Sequence, residues 1–313
     1  MSVDKSKDFY VFVRLFGSGN VTAIPDLELF FRPFTVEIGN IEFRKKSRLG
    51  KKKAEAIRQE VTDRVEKYIE IEQLLGVEAE FGNPLEEMLI EKAEDVERAV
   101  EKLLADWELG FNALPNVIDM LEAQEIKVIE VDAPDGFDGF SGWADGKIPV
   151  IVISSNYTVE RKRLTALHEL GHLLLTFSPD VSQKEIERYC FQFAGAMLIP
   201  ERTFTKELGK HRSHFSISEL VAVKENYGIS IQAIMARAKS LGVITAARYV
   251  AFRKRINKNR VEDGLGAYSG QERSSRFKKL VHHAAAEEII SLSKAASLSN
   301  LKLAEFRKEF VAL

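Results

Sequence analysis

The sequence is poor in cysteine and contains no long apolar run. Its 313 residues include one cysteine, Cys190, so an internal disulfide cannot form and a reducing compartment is expected. No stretch approaches the ~18 consecutive apolar residues of a membrane-spanning helix. Residues 1–10 lack the apolar core of a secretory signal. We therefore expect a cytoplasmic protein that makes no membrane contact.

An excess of either charge is also missing. The 45 lysines and arginines nearly balance the 47 aspartates and glutamates, giving a formal net charge of −2. This balance gives no global attraction to nucleic acid. Basic residues are concentrated in residues 44–53 and again in residues 253–260. The first cluster is either a phosphate-binding patch or a solvated loop, which is favoured, and the second is expected on a helix end and loop.

One pattern with specific chemistry is present, the H-E-x-x-H of residues 168–172. On a helix, residues four apart lie on the same face, so His168 and His172 can point two imidazole nitrogens at one ion. That arrangement fits a tetrahedral zinc site. Glu169 projects beside the ion, where a general base takes a proton from the attacking water. The alternative is a buried helix whose two histidines only hydrogen-bond to neighbours.

The residues around this pattern predict a buried helix. Thr158 is a suitable N-cap, and Glu160 places negative charge in the first turn, where the helix dipole favours it. Apolar side chains then follow at helical spacing. They are Leu164, Leu167, Leu170 and Leu174. A zinc-binding helix is usually buried because its site must be dry and rigid, and this helix fits that description.

A second helix is expected to supply a third metal ligand. A catalytic zinc site has three protein ligands and leaves one position for water. The pattern predicts a helix from about Ser182 to Pro200. Glu187 is the better candidate, because the small residues in 193–196 would let this helix approach the first one closely. Glu185 is the second candidate.

A small sheet is expected immediately before the H-E-x-x-H helix. Residues 126–131 are typical of a strand, and residues 140–153 of a hairpin with an Asp145-Gly146 turn. A free strand edge beside the metal could hold an extended peptide by main-chain hydrogen bonds. The alternative is that the sheet simply covers the helix, and both can hold at once.

Helical patterns account for much of the remaining chain. Residues 51–75 carry a narrow apolar stripe that would pack against one neighbour or against a second protomer, which makes a homodimer a candidate assembly. A further helix is predicted from Pro84 to about Leu109. Residues 217–244 are helix–turn–helix-like, either a DNA-groove or partner-docking module or, as we favour, an ordinary helical hairpin.

Several stretches together resemble the ImmA/IrrE-type metallopeptidases. Within the core they are Glu160 to Leu175, Phe140-Ser-Gly-Trp143 with Val150-Ile-Val-Ile153, and Glu187-x-x-Cys-x-x-Phe-Ala194 with Met197-Leu-Ile-Pro200. Leu220 to Gly242 is similar to the helical segment that follows the core in that family. The resemblance covers about residues 85–250. This combination is much more specific than the five-residue motif.

The N-terminal region resembles part of a subgroup of that family. Residues 28–75 look like the connector of relatives that carry an N-terminal Xre-type helix–turn–helix domain. Residues 1–27 are too short for that domain, which we therefore expect to be absent.

The resemblance implies a fold, a metal and an activity. The fold is α+β and mostly helical, with a zincin-like core, a small antiparallel or mixed sheet beside the H-E-x-x-H helix, and a C-terminal helical region. The site is gluzincin-like, with one Zn²⁺ per chain bound by His168, His172 and Glu187 and with Glu169 as the base. The implied setting is cytoplasmic, in a bacterium or mobile element, and the implied substrate is a transcriptional repressor, which we expect to be of the Xre type.

One residue departs from the family pattern. The family usually has Asn or Asp where this chain has Phe191. Such a polar residue could orient a metal ligand, and its loss predicts metal binding weakened by ~10–100-fold.

We therefore divide the chain into four regions and consider two functions. They are an N-terminal region with connector and charged helix (1–84), a metallopeptidase core (85–205), a helix–turn–helix-like segment (206–260), and a linker with C-terminal helices (261–313). The first function is a zinc-dependent endopeptidase that cleaves a partner repressor in a regulatory switch. The alternative is a non-proteolytic DNA- or partner-binding regulator with a structural or vestigial zinc site, supported by the absence of a polar residue at 191.

Overall fold

The fold is α+β and mostly helical, as the sequence predicts. A computed structural model describes residues 38–39, 51–77, 80–134 and 136–310. Residues 44–50 of the first basic cluster lie outside the described residues, and its last three lysines begin the first helix. Within those ranges it contains twelve α-helices and two small sheets. No helix in the described ranges combines the length and the apolar character needed to cross a bilayer.

The helices are distributed along the whole described chain. They are α1 Lys51–Leu74, α2 Ala93–Asp106, α3 Val117–Ala123, α4 Val159–Leu174, α5 Gln183–Leu198, α6 Glu201–Leu208, α7 Ile217–Tyr227, α8 Ile231–Ser240, α9 Ala246–Ile256, α10 Arg276–Ala286, α11 Leu292–Leu298 and α12 Leu303–Glu309.

A mixed four-stranded sheet packs against α4. Three of its strands immediately precede this helix in the chain. Its strands are β1 Ile38–Gly39, β3 Lys127–Val131, β4 Gly139–Ala144 and β5 Ile148–Ser154, in the order β1-β4-β5-β3. β3 and β5 are parallel, whereas β4 is antiparallel to β5 and to β1. A separate pair, β2 Leu89–Ile90 and β6 Thr176–Phe177, is parallel.

The predicted hairpin is present between β4 and β5. Asp145 and Gly146 both have positive φ, at 50° and 70°. A type I′ turn requires positive φ at both central residues, and an Asp-Gly pair tolerates this conformation well. The turn therefore determines where β4 reverses into β5.

α4 and α5 approach each other closely at Gly171. A Cβ atom at this position would lie 3.3 Å from the Cα of Cys190 and 3.3 Å from the ring of Phe193. Even a methyl group would therefore make a contact tighter than ordinary van der Waals packing, and its neighbours would have to shift slightly. The glycine inside the H-E-x-x-H pattern thus has a packing role in addition to its place in the motif.

The apolar stripe of α1 is buried within the chain. Ile57, Val61 and Val65 belong to a hydrophobic cluster with the four-stranded sheet. Ile71 belongs to another cluster, with the C-terminal helices α10 to α12. The predicted helix is confirmed, and its stripe has neighbours in the same chain. The homodimer stays a prediction.

The prediction that one helix runs from Pro84 to Leu109 is wrong at its start. α2 begins only at Ala93, and Leu89–Ile90 instead pairs with β6. The reason lies in the first turn, where the Asp95 carboxylate accepts hydrogen bonds from the backbone N–H groups of Glu91 and Lys92, at 3.0 and 3.1 Å. These bonds satisfy the backbone N–H groups just before the helix, so the helix begins at Ala93 and does not extend back toward Pro84.

The helix–turn–helix-like segment forms a hairpin that is packed on the core. Gly228 lies in the left-handed region between α7 and α8, with φ at 60°. Five of the ten residues of α8 are buried, among them Arg237, which pairs with Glu97 of α2 and donates to the Ile199 carbonyl. This packing agrees with the favoured interpretation, an ordinary helical hairpin. The DNA-groove interpretation stays a prediction.

Two buried glutamates anchor the segment between α9 and α10. Glu262 accepts hydrogen bonds from the N–H groups of Ile231 and Gln232 at the start of α8, at 3.0 and 2.9 Å. Glu272 accepts them from residues 117 and 118 at the start of α3, at 2.9 and 3.0 Å. Glu272 also pairs with Arg163 of α4, and both side chains are fully buried. The predicted linker is thus fastened at both ends.

We expect Glu272→Gln to lower the free energy of unfolding by about 3–5 kcal/mol, because it leaves a buried guanidinium without its counter-charge. The matched control is Glu309→Gln, which removes an ion pair with Lys278 whose side chains are 64% and 44% exposed. The control should leave the stability almost unchanged, because exposed ion pairs contribute little. Urea unfolding measures both, and equal small losses would contradict a structural role for the buried pair.

Candidate metal centre

The predicted ligands lie on two helices that pack against each other. α4 begins after Thr158, which occupies the N-cap position although its side chain forms no capping hydrogen bond, contrary to the expectation from sequence. Helical spacing places His168 and His172 on one face of α4. α5 carries Glu187 toward that face.

The structure brings His168, His172 and Glu187 together. The two Nε2 atoms are 3.2 Å apart. The Glu187 carboxylate places one oxygen 3.5 Å from Nε2 of His168 and the other 3.6 Å from Nε2 of His172. In the described part of the chain, these three residues form the one cluster with the composition of a metal site.

These separations fit a shared metal ion better than direct hydrogen bonds. Ligand atoms ~2.0–2.1 Å from a tetrahedral zinc ion lie about 3.3 Å from one another. By contrast, direct N–H···O hydrogen bonds usually measure about 2.7–3.2 Å. Both imidazole–carboxylate distances exceed that range. These two distances and the distance between the two Nε2 atoms all lie near the value expected for ligands of one tetrahedral ion. The donor set of two imidazoles and one carboxylate suits zinc.

Glu185, the second candidate for the third ligand, has a different role. Its carboxylate accepts hydrogen bonds from the Ser182 hydroxyl at 2.7 Å and from the Ser182 N–H at 3.2 Å. This capping box begins α5. The Ser182 hydroxyl and N–H lower the pKa of Glu185. Since Glu185 caps its own helix, Glu187 is the acidic residue that meets the histidines.

Glu169 is held by a hydrogen bond from the sheet. Its carboxylate is buried beside the two histidines and accepts a hydrogen bond from the Ser141 hydroxyl at 3.0 Å. Ser141 lies on β4, so the strand orients this carboxylate. Sequence reasoning did not assign Ser141 a role, although it lies in the Phe140-Ser-Gly-Trp143 stretch that carries part of the family resemblance.

Two further contacts reach the histidines from α5. The Cys190 sulfur lies 3.6 Å from Nδ1 of His172. The ring of Phe191 packs on the ring of His168, with centroids 4.0 Å apart and an angle of 34° between the planes. Phe191 thus touches a predicted ligand through ring packing, at the position where the family pattern has a polar residue.

The histidines, Glu169 and Glu187 open into one cavity of about 420 Å³. β4 and the segment before it line part of this cavity, and α4, α5 and β6 line the rest. Such a volume is within the range of ligand pockets in proteins. The catalytic groups predicted from sequence therefore face a space that can admit part of a substrate.

Comparison with known families agrees with the resemblance seen in the sequence. Residues 121–239 match the family model of the IrrE N-terminal-like domain, peptidase family M78. This range contains both histidines, Glu169, Glu187 and the α7–α8 hairpin. This part of the chain is therefore similar to the domain that defines this peptidase family. No curated protein matches the chain.

We expect Glu187→Ala to reduce the zinc content from about one ion per chain to a small fraction, because only two ligands remain. Glu185→Ala removes a carboxylate from the same helix and should leave the zinc content unchanged. Elemental mass spectrometry of the dialysed proteins measures both. Equal zinc in the two variants would exclude Glu187 as a ligand, and circular dichroism controls for folding.

Proposed function

We propose that the protein is a zinc-dependent endopeptidase of the cytoplasm that cleaves a partner transcriptional repressor of the Xre type, in a bacterial or mobile-element regulatory switch. The main support is the convergence of His168, His172 and Glu187, with Glu169 beside them in one cavity. The peptidase family match supports the reaction class. The repressor as substrate rests on the family resemblance.

The ligand set has a chemical consequence. His168, His172 and Glu187 would hold a zinc ion, which would supply a Lewis acid for a peptide carbonyl and lower the pKa of a water. Three protein ligands are the number found in catalytic zinc sites.

Glu169 would move the protons of the reaction. Its carboxylate would accept a proton from the attacking water and pass it to the leaving amine when the peptide bond breaks. The Ser141 hydroxyl donates to one oxygen of this carboxylate and leaves the other available for the proton. Ser141 is therefore a positioning residue, because it acts through Glu169.

The sheet supplies a surface for the peptide. Residues 139–142 of β4 line the cavity and pair on one side with β5. On the other side, β1 pairs with Trp143 and Ala144. An extended peptide could add to β4 along residues 139–142 by main-chain hydrogen bonds. Its backbone would then run past Glu169.

We expect Glu169→Gln to retain zinc and to reduce cleavage by at least ~10²–10⁴-fold, because the amide cannot accept the proton. Purified protein is incubated with the repressor encoded beside its gene, and the products are identified by mass spectrometry. An unchanged rate in a zinc-loaded variant would refute the role of Glu169. Ser141→Ala should produce a smaller loss, since it only frees the carboxylate to reorient.

A second candidate function is nucleic-acid binding through α9 and the turn after it. Residues 246–260 contain six exposed basic residues and no acidic one. They are Arg248, Arg253, Lys254, Arg255, Lys258 and Arg260. Within the described ranges none of the six forms an ion pair with an acidic side chain. Unpaired cations of this density suit phosphates, and the exposed face of α9 is otherwise mainly alanine.

We expect the protein to bind duplex DNA weakly, with an affinity that falls as salt rises. Replacing Arg253 and Arg255 with Gln should reduce the slope of log K against log salt by about two. The control replaces Arg98 and Lys102 of α2, which pair with acids in their own helix. Fluorescence anisotropy measures the slopes, and equal slopes in both double variants would exclude α9 as the contact surface.

A further inference from the structure

An aromatic side chain stands half in solvent beside the predicted metal ligands. Phe191 is 53% exposed, although it is one helical turn after Glu187 on the same face of α5. Among the aromatic residues in the described ranges, Phe111 is the other exposed one, and an arginine covers its ring. The Phe191 ring instead lies against His168 and lines the cavity.

The cavity wall continues the apolar character of this ring. Trp143 lines it from β4, Leu173 from α4, and Phe177 and Ile186 from β6 and α5. Most of these side chains belong to the hydrophobic core or pack against it, so the wall is rigid.

Charged side chains of a substrate would find no partner in this wall. In the described part of the chain, no lysine or arginine lines the cavity. Glu169 and Glu187 are assigned to proton transfer and to the metal. Asp138 is paired with Arg161 at 2.5 Å. An acidic side chain would meet these carboxylates, and a basic one would lose water beside apolar rings.

We propose that Phe191 forms the wall of a substrate subsite that takes a large apolar side chain next to the scissile bond. A peptide added to β4 presents alternate side chains to each face, so one residue beside the bond points toward the cavity. Contact with that side chain would bury the exposed part of the Phe191 ring. This inference rests on the proposed peptidase function and adds the class of residue that the site selects.

The substitution Phe191→Asn introduces the residue type of the family pattern, and Phe191→Ala simply removes the ring. Ile289→Ala is the control, because Ile289 is 46% exposed and does not line the cavity. Each zinc-loaded protein is incubated with a peptide library of mixed sequence, and the cut bonds are read by mass spectrometry.

The native protein should cut beside Leu, Met, Phe or Tyr at least fivefold more often than their library frequency. Both Phe191 variants should lose this preference, with KM for the best apolar peptide raised about tenfold and kcat changed less than threefold. The control should keep the native pattern. A native cut pattern without apolar preference, or an unchanged pattern in both variants, would overturn the proposal.

Two further measurements separate this proposal from the peptidase function. Zinc content of the Phe191 variants should match the native protein, and loss of zinc would show that the ring supports the ligand instead of a subsite. Binding of a Leu-containing and a matched Ser-containing peptide is measured on the Glu169→Gln protein by calorimetry. If none of the proteins cuts any peptide, but Phe191→Asn abolishes the tighter binding of the Leu peptide, the subsite is supported and the hydrolase function is refuted. Equal affinities for both peptides would exclude the subsite.

Discussion

The close contact between α4 and α5 at Gly171 is the constraint on which the site depends. Two histidines on one helix can direct their nitrogens at a common point, but a third donor must come from another element. A carboxylate side chain is short, so the second helix has to lie almost against the first. The absence of a side chain at Gly171 favours this approach, because a Cβ there would lie only 3.3 Å from the Cα of Cys190.

The N-terminal half of α4 is held by buried charges. Arg163 pairs with Glu272, and Glu160 lies 3.8 Å from Lys224, which also pairs with Glu262. Buried ion pairs contribute little net stability compared with apolar packing, but a broken pair is costly. Such pairs therefore disfavour alternative placements of α4. Apolar packing fixes α4 on the side of α5, and buried ion pairs fix it on the side of residues 261–275.

The sequence predicted those elements that depend on interactions between residues close together in the chain. Helical spacing identified α4, and the Asp-Gly pair identified the hairpin. Glu187 and Glu185 could not be separated from spacing alone, because both lie in the first turns of α5. The choice became clear from the capping box that occupies Glu185. Ser141 and Glu272 escaped prediction because their partners lie 28 and 109 residues away in the chain. The spacing of apolar residues along a helix or strand gives no information about contacts between residues so far apart in the chain.

Phe191 shows how one substitution can change the orientation and the chemistry of a site together. A polar residue could orient a ligand through a directional hydrogen bond, whereas the phenyl ring meets His168 through a tilted ring contact. The contact from Cys190 reaches the other histidine, so each imidazole has a neighbour on α5. The same helix therefore supplies one predicted ligand, contacts both of the others, and presents the apolar surface that a substrate would meet.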